Sequence, residues 1–122
     1  LWMKALDCIF IDRKKPIASS KTIRRELLKK ERNTVLLFPE GTRSRGKNPK
    51  NFKRGGLQLV FEARKVIQPV RISGTYNIYE KSGKIKPGII EVHILKPVLP
   101  EQYQNDSFDD FKKRMENIIQ NI

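Results

Sequence analysis

With 122 residues, the chain is long enough for one modest domain around one core. Hydrophobic residues make up 38% and charged residues 32%, and 26 Lys and Arg against 13 Asp and Glu leave a net charge of +13. That balance points to phosphates, nucleic acid or anionic lipid headgroups as partners, while no apolar run approaches the ~20 residues of a membrane-spanning helix.

In chain order, Leu1–Leu6 reads as the end of a helix and Cys8–Ile11 as a short strand closed by Asp12-Arg13. Cys8 is the one cysteine; it sits in an apolar run, so a buried strand thiol in an intracellular setting is expected. A basic loop runs through Pro16. Ser19-Ser20 are then placed to cap a helix reaching about Arg32, with Ile23, Leu27 and Leu28 on its buried side. Thr34–Phe38 is apolar and β-branched, as a strand covered on both faces would be.

A long loop, Pro39–Arg54, leads through Gly55-Gly56 into a helix to about Lys65, with Leu57, Val60 and Phe61 on one face. Strands are expected at Ile67–Ser73 and Ile89–Leu95, and a last helix capped by Ser107. In that helix Phe108, Phe111, Met115, Ile118, Ile119 and Ile122 form an apolar stripe, read as core packing. The alternation of strands and helices predicts a single α/β domain over residues 1–122, with a mainly parallel central sheet flanked by helices. In such sheets ligands gather beyond the carboxyl ends of the strands, where the turns bearing Arg13 and Glu40–Arg45 would meet.

The stretch Phe38-Pro39-Glu40-Gly41-Thr42-Arg43-Ser44-Arg45 carries the most chemistry. Gly41 permits close backbone approach to a ligand. Thr42 offers a hydroxyl, and Arg43 a planar fork matched to phosphate oxygens. Glu40 is placed to hold an arginine or a ligand hydroxyl. From Arg43 through Arg54 there are six basic residues and no acid, and Lys53 precedes Gly55-Gly56 at a helix start that favours anions. A specific phosphate site and a merely solvated basic loop both fit this pattern. A nucleotide-binding P-loop does not: the run from Gly41 to Lys47 continues with Asn48 and Pro49, where a magnesium-holding Ser or Thr should open a helix.

Ile9-Phe10-Ile11-Asp12-Arg13, Phe38-Pro39-Glu40-Gly41-Thr42-Arg43-Ser44, Phe52-Lys53-Arg54-Gly55 and Val66-Ile67-Gln68-Pro69-Val70 together resemble, in order and spacing, the blocks of 1-acyl-sn-glycerol-3-phosphate acyltransferases. The likeness runs from about Ile9 to Pro97. It implies a glycerolipid-acyltransferase-like fold and transfer of an acyl group from acyl-CoA or acyl-carrier protein to the free hydroxyl of lysophosphatidic acid. It implies no cofactor and no metal. Arg13, Glu40, Gly41, Thr42 and Arg43 would hold the acceptor's glycerol phosphate, Lys53 would assist, and the block around Pro69 would shape the pocket. The workplace implied is an anionic membrane surface on the cytoplasmic side.

The family's catalytic motif is a His, four residues, then an Asp, upstream of the first block. His93 is the one histidine here, and Val98 stands where that Asp would be. His93 alternates with Ile90, Val92 and Ile94 and reads as a strand-surface residue. The expectation is therefore an N-terminally truncated chain, the C-terminal portion of the domain, with no catalytic residue of its own and no activity alone. The alternative is a basic nucleic-acid-binding module; Phe52 is the one aromatic between Arg43 and Arg54, and no nucleic-acid-reading motif is present. A relative that binds phospholipid without chemistry is a third possibility.

Overall fold

The computed structural model describes residues 2–6, 8–10, 14–29, 34–43 and 51–120. A short helix α1 (Trp2–Ala5) is followed by α2 (Pro16–Leu28) and α3 (Arg54–Ala63). Strand β1 (Val70–Ser73), the single turn α4 (Thr75–Ile78), strand β2 (Glu91–Ile94) and helix α5 (Phe108–Gln120) complete the order. The core gathers Phe52, Leu57, Val98, Tyr103, Phe111 and Met115, with Phe61 and Phe108 packed against it. Its centre is aromatic: the Tyr103 and Phe111 rings are fully buried and 4.9 Å apart. The Tyr103 hydroxyl donates to the Lys65 carbonyl at 2.7 Å, which satisfies its polar end.

Helix α5 is the element most faithful to its sequence pattern. Ser107 Oγ accepts the Asp110 amide at 3.2 Å, and the hydroxyl donates to the Asp110 carboxylate at 2.6 Å. Phe111 and Met115, four residues apart, are buried on one face. Helix α2 begins at Pro16, earlier than Ser19-Ser20 suggest, because proline suits the first helical turn, where no amide hydrogen is required. On α2, Leu27 is buried and Ile23 half-buried, but Leu28 is 62% exposed. Positions 23 and 27 share a face, and position 28 lies about 100° further round.

Helix α3 ends at Ala63, before the expected Lys65, because Arg64 turns left-handed at φ 50°. Two contacts hold that conformation: the guanidinium lies 4.2 Å above the Phe61 ring and donates to the Tyr103 carbonyl at 3.0 Å.

The mainly parallel sheet is not what the described residues form. Their sheet has two strands, β1 and β2, paired antiparallel with Val70 opposite Ile94 and Ser73 opposite Glu91. An isolated antiparallel bridge from Ile67 to Val98 extends the pairing. The connection from β1 to β2 holds only the single turn of α4, whereas a parallel pair is usually joined by a full crossover helix. Residues 8–10 and 34–38 are irregular and join no ladder among the described residues. With no sheet neighbour among the described residues, Cys8 is exposed, contrary to the buried thiol expected. Asp12-Arg13, Ser44, Arg45 and Ile122 lie outside the described residues.

Candidate functional site

The chain reverses at Phe38–Gly41, where the Gly41 amide donates to the Phe38 carbonyl at 3.1 Å. Pro39 and Glu40 occupy the middle of this turn, and Gly41 follows at φ 61°, a left-handed conformation that glycine adopts without strain. The turn is pinned from the other side. The Lys53 amide donates to the Pro39 carbonyl at 2.8 Å, and a Cβ added at Gly41 would lie 3.0 Å from Lys53 Cδ. A Cβ added at Gly56 would lie 3.1 Å from Leu37 Cδ1. Gly41 and Gly56 thus let the 37–42 segment lie directly against the start of α3.

The bracing continues to α5. The Phe52 amide donates to the Glu116 carboxylate at 2.8 Å, and Lys112 Nζ stands 3.8 Å from the same oxygen. Phe52 itself is buried in the core. Lys53 is therefore held between the core and the turn, while its ammonium end stays on an exposed residue.

Beyond the turn opens a cavity of about 440 Å³ between residues 36–42 and the β1–α4 segment. Its lining is mixed: Leu36, Leu37, Phe38, Val70, Ile72 and Ile119 are apolar, while Glu40, Thr42, Arg71, Ser73, Thr75 and Asn77 are polar or charged. The volume falls in the range of ordinary ligand pockets, and a lining of both kinds suits an amphiphile.

Of the residues selected from sequence, Glu40, Gly41, Thr42 and Lys53 are brought together, and Arg43 follows directly as an exposed residue. Arg13 lies outside the described residues. Pro69 is buried, and the chain after it forms the second wall of the cavity.

The wall residue that sequence reasoning missed is Arg71. Strand alternation puts it on one face with Ser73, and its Nη1 donates to the carbonyls of Ile119 and Gln120 at 3.4 and 3.3 Å. Ser73 Oγ donates to Glu91 at 3.2 Å. His93, opposite Arg71 in the register, is an exposed strand residue, as its alternation predicts, with Nε2 3.9 Å from Glu91. Among the described residues no group of three or more His, Cys, Asp or Glu is arranged to hold a metal ion, and no helix is long and apolar enough to cross a membrane.

The acyltransferase family model matches residues 1–73. A 1-acyl-sn-glycerol-3-phosphate acyltransferase of Saccharomyces cerevisiae is 32% identical over 120 residues, covering 93% of this chain and 40% of the relative. One from Escherichia coli K12 is 33% identical over 92 residues, covering 75% and 37%. One from Limnanthes douglasii is 28% identical over 113 residues, covering 90% and 40%. The chain thus spans about 40% of the length of these relatives. No solved structure gives a significant match. The turn glycine, its supporting lysine and the strand behind them lie within the matched residues, and the chain belongs to the acyltransferase family.

Proposed function

We propose that this chain supplies the acceptor-phosphate side of a 1-acylglycerol-3-phosphate O-acyltransferase of phospholipid biosynthesis. The observation that carries the reading is the Glu40–Arg43 turn, braced by Lys53, beside a cavity lined by both apolar and polar side chains. A lysophosphatidic acid molecule combines the same two kinds of surface. Its phosphate would meet Arg43 and Lys53, its glycerol hydroxyl would meet Glu40 or Thr42, and its acyl chain would lie along Leu36, Phe38 and Ile72. Arg13 joins this set by the family blocks. The donor would be acyl-CoA or acyl-carrier protein.

The chemistry requires a base to take the proton from the acceptor hydroxyl as that oxygen attacks the thioester carbonyl. His93 lacks an Asp at family spacing and stands exposed on β2 beside Glu91. We infer that these 122 residues alone bind the acceptor without transferring the acyl group.

The lipid substrate and the +13 charge favour an anionic membrane surface on the cytoplasmic side as the place of work. Each Lys or Arg near such a surface adds roughly 1 kcal/mol. Exposed Ile85, between Lys84 and Lys86, and exposed Ile89 lie along the β1–β2 loop and suit that contact.

The test is calorimetric titration of the chain with lysophosphatidic acid below its micelle concentration, beside Arg43→Ala. Binding by the parent and loss of at least about tenfold in the variant is the expected result. Absence of binding by a folded parent chain, or equal binding by the variant, would overturn the assignment.

A further inference from the structure

This inference rests on the acceptor-site reading and deepens it. Among the described residues that line the cavity, Arg71 is the one that carries a positive charge; Arg43 and Lys53 flank the turn without lining it. Arg71 belongs to none of the blocks that carry the family resemblance apart from following Val70, and nothing in its sequence neighbourhood marks it. Its position comes from β1, where it shares a face with Ser73, and from α5, whose last carbonyls at Ile119 and Gln120 accept its Nη1. The carboxyl end of a helix carries partial negative charge, so a guanidinium settles there favourably. The result is a planar cation in the lining of the cavity that Glu40 and Thr42 also line.

We propose that Arg71 is a specificity-determining residue through which this cavity selects a phosphate monoester head over a phosphodiester. A monoester approaches a charge of −2 at neutral pH and presents three terminal oxygens. Arg43 and Lys53, which flank the turn, would serve two of them. Arg71, from the β1 part of the lining, would serve the third. A diester carries one negative charge, and a substituent replaces that third oxygen, so its head gains little from Arg71. Glu40, a carboxylate on the turn side, favours the hydroxyl-bearing glycerol and leaves the phosphate to the cations.

A purely structural role, capping α5, is the competing account, and two variants separate them. Arg71→Gln keeps an N–H donor for the α5 carbonyls and removes the charge. Arg71→Lys keeps the charge and loses the planar fork. Both are titrated with lysophosphatidic acid and with lysophosphatidylglycerol of the same acyl chain, each below its micelle concentration, and each variant is melted thermally. The expected result for Arg71→Gln is about tenfold weaker binding of the monoester with the diester little changed, at an unaltered melting temperature; Arg71→Lys falls between. Equal losses for both lipids, or unchanged binding with a lower melting temperature, would overturn the proposal. If Arg43→Ala abolishes binding while Arg71→Gln leaves the monoester preference intact, the inference fails and the acceptor-site reading stands. No lysophosphatidate binding by the folded parent chain ends both.

Discussion

Glu116 on α5 accepts the backbone amide of Phe52 at 2.8 Å, and the next amide, that of Lys53, reaches the Pro39 carbonyl at the same distance. A carboxylate 64 residues away in sequence therefore helps set where the turn and its lysine sit. Glu116→Ala leaves the Phe52 amide without that acceptor in a part-buried place, and a loss of about 2 kcal/mol in urea unfolding is expected. Glu116→Gln retains an acceptor oxygen and should lose about half as much. Equal stability of both variants and the parent would show that the bond contributes nothing.

Gly41 combines a left-handed backbone with a neighbour, Lys53 Cδ, 3.0 Å from where a Cβ would sit. Gly41→Ala should cost about 1 kcal/mol for the conformation and displace the lysine stem. Gly41→Asn tolerates the conformation better but crowds Lys53 equally. The expected pattern is a smaller stability loss for Asn than for Ala, with lysophosphatidate binding weakened in both. Undiminished binding in both variants would separate Lys53 from the phosphate.

Gly74 is the stricter glycine. At φ 87° a Cβ there would fall 2.1 Å from the Ile89 carbonyl oxygen, a backbone atom that cannot swing aside. Gly74→Ala should destabilise the chain by about 2 kcal/mol or more and loosen the β1–β2 pairing. Hydrogen exchange at the amides of Arg71 and His93, which pair across the ladder, reports this directly, and protection equal to the parent's would contradict it.

Burial pushes the Tyr103 hydroxyl above its usual pKa of 10.0; the charge of Arg64 opposes this shift and that of Glu101 adds to it. A raised folded pKa favours the neutral form in the native state. The stability it provides is complete below pH 10 and declines as pH rises from there through the folded value. Tyr103→Phe loses the bond to the Lys65 carbonyl and should be about 1 kcal/mol less stable at neutral pH. The gap between parent and variant should narrow above pH 10. A gap that stays constant to high pH would rule out Tyr103 as the titrating group.

The block from Phe38 to Arg43 was legible because its chemistry is local: proline inside the turn, glycine where the backbone turns left-handed, then hydroxyl and cation in consecutive positions. Helix α5 was legible because Ser107, Phe111 and Met115 recur at helical spacing. The start of α2 was misread because Pro16 suits a loop and a first helical turn equally well. The segments that became β1 and β2 were visible as apolar alternation, but alternation has no direction, so their antiparallel pairing was not. Cys8 was misjudged because its burial depends on a neighbouring strand, which the described residues do not supply.

The order of apolar, glycine-bearing and basic residues by itself determined the turn, the amphipathic helices and the family to which the chain belongs, since these depend on contacts a few residues apart. Only the tertiary structure decided that Glu116 braces the turn and that Arg71 and Thr42 line one cavity. Those relationships join residues brought together by the closing of the aromatic core, and no local spacing encodes them.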